Sequence, residues 1–234
     1  MNEEKKTEGA EQAAKAKAAP KKPTKKAGII AGVVAAVVVV AGIGMFVWHE
    51  QPSFCGAICH TPMDAYYETY AEGTADKYGR ELDQQASDAM MVRAHAAEGY
   101  GCLDCHEPSM GQQVSEGLAW VSGGYEVAGS SEDGTAYLAA RDLDQLMEVQ
   151  GKAGYEMCLT PECHDTALAD LESLTADLGS ADRNPHSTQH DAVPVCSDCH
   201  KAHEQPVNAC TQCHNDSPVP EGWLTTSEAN RLKK

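Results

Sequence analysis

Every cysteine in this chain belongs to one of five pairs, and every pair is followed at once by a histidine. In order these are Cys55-Gly-Ala-Ile-Cys59-His60, Cys102-Leu-Asp-Cys105-His106, Cys158-Leu-Thr-Pro-Glu-Cys163-His164, Cys196-Ser-Asp-Cys199-His200 and Cys210-Thr-Gln-Cys213-His214. C-x-x-C-H is the attachment signature of c-type haem, in which both thiols bond to the porphyrin and the histidine ligates the iron. The longer spacers of the first and third motifs loosen the loop without changing that chemistry. Disulfide pairing gives no reason for a histidine after each second cysteine. With 10 histidines in 234 residues, five such placements by chance have odds of about 10⁻⁷. Structural zinc takes four ligands per ion and would not consume all five motifs. The sequence therefore predicts five covalently attached haem c groups.

Ten histidines less these five leave His49, His95, His186, His190 and His203. A second imidazole on an iron closes its coordination and makes it an electron carrier rather than a substrate site. His95, His186, His190 and His203 all flank the motifs and are expected as second axial ligands, although spacing does not say which serves which iron. For the first haem, Met63 is the expected sixth ligand, a thioether being a known axial donor. An open or water-bound iron and ligation by His49 are the alternatives. Met90, Met91 and Met110 read as packing residues.

The second constraint is an uncharged run, 27–48, reading AGIIAGVVAAVVVVAGIGMFVW. As a helix it would span roughly 33 Å, enough to cross a bilayer. Eight Lys and four Glu precede or abut it in residues 1–26, and no lysine follows until Lys77. This asymmetry predicts a cytoplasmic N-terminus and an extracytoplasmic remainder. Trp48 and His49 fall where an interfacial anchor would sit. A cleaved signal peptide is the competing reading, but the run is long for one and no small-x-small site follows before Pro52. The Gly28-x-x-x-Gly32 spacing reads as composition rather than as a helix-packing motif. The tail carries about +4 of a net charge of −17, leaving −21 for the rest. So acidic a body argues against nucleic acid as a partner.

Outside the apolar run the chain is rich in Ala, Gly, Asp and Glu, and its two Phe are Phe46, inside the run, and Phe54, just past it. Such a composition builds a weak side-chain core. Five porphyrins, at about 37 residues each, would supply the interior instead. The expected fold is thus a multihaem cytochrome c, mostly α and irregular, with one N-terminal transmembrane helix and a haem-packed core with little or no β. Its expected divisions are a disordered Lys-rich tail (1–26), a membrane anchor (27–48), an extracytoplasmic pentahaem domain (49–216) and an exposed C-terminal tail (217–234). Thr61-Pro62-Met63-Asp64 predicts a helix start, with Thr61 as N-cap and Pro62 at the first position, running through Tyr66, Tyr67 and Tyr70. Residues 81–98 read as one helix ending at Gly99, and 135–150 and 166–178 have helical spacing. No Gly-rich nucleotide loop is present.

Two family resemblances attach to particular stretches. From the apolar run through Phe54, the first motif, Thr61-Pro62-Met63 and Tyr66-Tyr67, the chain resembles the NapC/NirT family of membrane-anchored multihaem quinol dehydrogenases. It differs in the extra residue between Cys55 and Cys59 and in a methionine one position later. The stretch Asn184-Pro185-His186, His190, the fourth motif, Lys201-Ala202-His203 and Val207-Asn208 with the fifth motif resembles the tetrahaem domain of flavocytochrome c fumarate reductases. His95 with the second motif is similar to that domain's opening. These resemblances imply a cytochrome that takes electrons from menaquinol, or another membrane donor, and passes them to an extracytoplasmic reductase, with a flavoprotein as the expected partner. They imply a lipid bilayer and the quinol pool as surroundings, and distal ligation by the matching histidines. The alternatives are a terminal reductase of nitrite-like substrates and an electron wire that never contacts quinol; no C-x-x-C-Lys motif of a pentahaem nitrite reductase is present.

Overall fold

The computed structural model describes residues 25–131, 133–141, 143–146, 154–178, 183–187 and 195–232. The expected disordered tail lies outside the described residues up to 24, as do His190 and the helical spacing predicted over 147–150. The chain divides after Met45 into two units. The first is formed by helix α1 (Lys25–His49), whose last turn belongs to the second. None of its residues is buried, and it is long and apolar enough to cross a membrane. Lys25 and Lys26, expected in the tail, form its first turn.

The second unit is a string of short helices and turns. Helix α2 (Pro52–Ile58) is followed by α3 (His60–Ala71), α4 (Gln84–Ala89), α5 (Met91–Ala97) and α6 (Met110–Ser122). Beyond them come α7 (Leu143–Leu146), α8 (Leu171–Leu174) between 3₁₀ turns, α9 (Cys196–Cys199) and α10 (Thr226–Leu232). Further 3₁₀ turns lie at Cys102–Asp104, Gly154–Met157 and Ala209–Gln212, and the described strands form two ladders of two residues per strand. Antiparallel β1 (Gly129–Ser130) and β2 (Ala136–Tyr137) form one, and parallel β3 (Val207–Asn208) and β4 (Leu224–Thr225) the other. Where 135–150 was expected to be helical, β2 occupies its start, and only α7 is helical among its described residues.

The predicted single helix over 81–98 is two helices. Asp83 caps α4 by accepting from the Ala86 amide at 2.8 Å, and Met90 then turns extended (φ −64°, ψ 134°) and is fully buried. The break is imposed from far away in sequence. The free amides at the start of α5, those of Met91 and Val92, donate to the carbonyls of Lys201 and Ala202 at 3.0 and 3.2 Å, as helix ends require. The start of α3 also differs from expectation. Thr61 (φ −104°, ψ 110°) and Pro62 are non-helical, so regular winding begins only after them.

Residues 217–232 are not a free tail. Ser217 and Ala229 are buried, β4 pairs with β3, and the Gln85 side chain donates to Glu221. Gly222 adopts φ +78° directly against α4, where an added Cβ would sit 2.2 Å from the Gln85 carbonyl oxygen. Among the described residues buried apolar side chains are few: Ala65, Ala86, Met90, Leu143, Met157 and Ala229, with Pro62 and Pro206. Against Leu143 and Met157 pack Leu146 and the cysteines Cys105, Cys158 and Cys196, so thiols of three motifs form part of the interior. Of the methionines expected to pack, Met90 is buried but Met110 is 73% exposed. It shares the outer stripe of α6 with Val114, Leu118 and Val121.

Gly222→Ala should cost about 1–3 kcal/mol through the left-handed backbone and the clash with Gln85. Met90→Ala should cost about 2–5 kcal/mol as a core cavity. Thermal unfolding of the haem-loaded protein, followed by circular dichroism, checks both as a fall in Tm.

Candidate functional site

Each motif is wound into about one turn closed on its first cysteine. In the second motif the His106 amide donates to the Cys102 carbonyl at 2.9 Å. The corresponding bonds are His164 to Cys158 (3.2 Å), His200 to Cys196 (2.9 Å) and His214 to Cys210 (2.8 Å). In the first motif Cys59 donates to Cys55 at 3.1 Å. A single turn of this kind carries two thiols and an imidazole on one short loop. Asn208 heads the fifth turn: its side-chain oxygen accepts from the Cys210 amide (3.0 Å), while its nitrogen donates to the Pro218 carbonyl (2.7 Å). Gly56, inside the first motif, lies so close to the Tyr67 ring that an added Cβ would meet it at 2.8 Å.

The motifs adjoin one another in chain order. The sulfurs of Cys55 and Cys102 are neighbours, an interaction that holds Cys55 down to about 7 and pushes Cys102 up. Cys158 and Cys196 form the same kind of pair, with Cys196 held down to about 7 by its partner and Cys158 raised. Burial raises Cys105, with Asp104 and then the Cys163 sulfur adding to it. Burial likewise raises Cys199, which feels Cys210 as a neighbour. The first motif thus meets the second, the second the third, the third the fourth and the fourth the fifth.

The imidazoles come together in twos. His106 and His203 have ring centres 6.3 Å apart at 34°, His95 and His164 6.0 Å apart at 88°, and His186 and His200 6.3 Å apart at 9°. Burial holds His203 down to about 3, with the His106 and Lys77 charges adding. Burial also lowers His106, His186 and His200, so these rings are neutral and have a lone pair to offer a metal. Among the described residues no three His, Cys, Asp or Glu side chains converge into a protein-only metal cage. Met63 lies half-buried in the first turns of α3, its amide bonded to the Cys59 carbonyl. His49 lies against Phe54 (5.0 Å between ring centres), and its Nδ1–H donates to the Glu50 carboxylate at 3.2 Å. The structure gives Met63 no partner that distinguishes it from His49 as a ligand, and the His60 side chain lies outside the described residues.

Side chains that the motifs do not reveal hold the flanking histidines. The Thr69 hydroxyl donates to the Tyr66 carbonyl (2.7 Å) and therefore accepts from Nδ1–H of His203 (2.7 Å). Nδ1–H of His95 donates to the Met91 carbonyl (2.7 Å). Thr175 gives its proton to the Leu171 carbonyl (2.6 Å), and its oxygen receives Nδ1–H of His186 (3.0 Å). Asn184 locks that arrangement, accepting from the His186 amide and donating to the Glu172 carbonyl. Nothing about a single threonine in a sequence marks it for such a role.

These residues fit haem c. The donor set is a thiol pair and an imidazole on one turn, repeated, with further neutral imidazoles nearby and an interior short of apolar side chains. Cysteines of each motif would hold the porphyrin, and His60, His106, His164, His200 and His214 its iron. Haem bound there supplies a one-electron Fe(III)/Fe(II) couple. The chain's part is to fix the rings, keep the imidazoles neutral and exclude water. Fold and site together define a multihaem c-type cytochrome domain.

The comparisons with known proteins agree. Residues 143–215 match the cytochrome c3 family. Over 199 residues, covering 83% of this chain and 85% of the relative, the sequence is 46% identical to cytochrome c-type protein Cgr1 of Eggerthella lenta. The chain belongs to the c-type cytochrome family that includes Cgr1, and it carries electrons on covalently bound haem c. No solved structure matches it.

Replacing both thiols of the third motif (Cys158→Ser with Cys163→Ser) should leave the protein lighter by one haem in its denatured intact mass, and the other motifs loaded. Loss of all haem, or of none, would contradict independent attachment at each turn.

Proposed function

We propose that this protein is a membrane-anchored pentahaem electron-transfer subunit that takes electrons from menaquinol and passes them to an extracytoplasmic reductase. The observation that carries this reading is the chain-order adjacency of the five motifs. Porphyrins attached at neighbouring thiols form a continuous row, the arrangement a relay needs. The donor side is the first motif, which begins six residues after the end of α1. Lysines before that helix and their absence just after it support an extracytoplasmic haem domain. The similarity around the first motif to the NapC/NirT quinol dehydrogenases supports quinol as donor. The acceptor is a flavin-dependent reductase, supported by the resemblance of the C-terminal part to a domain that elsewhere feeds a flavin. The acidic body, −21 beyond residue 26, suits docking on a basic face of such a partner.

The test is anaerobic addition of a menaquinol analogue to the full-length protein in liposomes, read by haem absorbance. Reduction to most of the extent reached with dithionite is expected, together with no steady-state turnover of nitrite or hydroxylamine. Haems that dithionite reduces but the quinol leaves oxidised would remove quinol as donor and leave a wire fed by another cytochrome. Nitrite turnover would make the protein a terminal reductase.

A further inference from the structure

Three histidines outside the motifs meet three within them, and the separations are those of rings sharing one metal. A ring nitrogen about 2 Å from a metal and about 1.2 Å from its own ring centre sets two trans imidazoles roughly 6.4 Å apart. The observed separations are 6.3, 6.0 and 6.3 Å. In every pair the histidine from outside the motif has its Nδ1–H engaged by a protein oxygen, which leaves Nε2 as the bare nitrogen. Such an outer bond fixes both tautomer and ring orientation in metal-ligating histidine.

We infer that His203 is the sixth ligand of the iron held by His106, His95 of the iron held by His164, and His186 of the iron held by His200. Thr69, the Met91 carbonyl and Thr175 are the respective positioning groups. The inference rests on haem occupying these motifs, and it does not depend on quinol or on any partner. The lacing crosses motifs: His95 stands before the second motif but serves the third, while the second is closed from beyond the fourth. The backbone is built for this crossing, since Met91 and Val92 are bonded to Lys201 and Ala202, and the Lys77 amide to the His203 carbonyl at 2.8 Å.

The three pairs differ in ring angle, which gives each a spectroscopic identity. Imidazole π electrons act on the iron d orbitals along the ring normals. Near-parallel rings split those orbitals and give a rhombic paramagnetic spectrum. Rings crossed at right angles leave them almost degenerate and give a strongly axial spectrum with one large g value. The His186–His200 centre, at 9°, is therefore the most rhombic, and the His95–His164 centre, at 88°, the axial one.

The test is low-temperature electron paramagnetic resonance of the oxidised full-length protein in detergent. Wild type is expected to show both signal types. His95→Met should remove the axial signal alone, and His186→Met the most rhombic signal alone, with haem mass unchanged in both. Thr69→Val keeps the His203 ring but takes away its proton acceptor, so the potential of one haem should rise in a redox titration while the haem count stays at the wild-type value. Exchange of the two signals between the variants, or retention of both, would overturn the pairing. So would a Thr69→Val protein with every potential unchanged, which decides the matter should a ligand variant fail to mature. A failed quinol assay with these spectra intact would count against the proposed donor and not against the pairing.

Discussion

The attachment of haem to short one-turn loops is the constraint on which the rest of this fold depends. Among its described residues the domain beyond α1 buries, besides two prolines, only three alanines, one leucine and two methionines as apolar side chains. That is far too little apolar surface to offset the chain entropy of so many residues. Covalent porphyrins supply the missing interior and at the same time shorten the loops the unfolded chain can form. The cysteines packed around Leu143 and Met157 sit where three motifs meet, so the cofactor attachment points and the core are one region.

What protein structure there is serves to hold imidazoles. α5 carries His95 and is sewn by its first amides to the strand of chain between His200 and His203. Next to it, Asp76 is buried at 3% exposure yet fully partnered by Arg80 and by the amides of Tyr78 and Arg80. Lys77 reaches Glu204 at 3.5 Å. Burial alone would lower the Lys77 ammonium, but Glu204 and Tyr78 outweigh it and raise it. A paired, desolvated charge of this kind leaves little freedom in the segment, and that segment ends on His203.

The sequence made the haem motifs legible because covalent chemistry prescribes their residues and spacing, and it marked His95, His186 and His203 by their nearness to those motifs. The pairing was hidden, since His203 meets His106 across most of the domain and no local pattern encodes that. The same reason explains the misread helix over 81–98: Met90 breaks it because carbonyls more than a hundred residues later claim the next amides. Residues 217–232 look like a tail by composition, yet Gly222 lets them lie flat on α4 and Asn208 holds their start. Thr69 and Thr175 could be found only in three dimensions.

The most direct measurement is the denatured intact mass of the full-length protein purified from its native host, taken with its haem absorbance. The account predicts the polypeptide plus five haems, with a Soret band of low-spin iron. A mass equal to the polypeptide alone, or fewer covalent haems than Cys-His motifs, would contradict it.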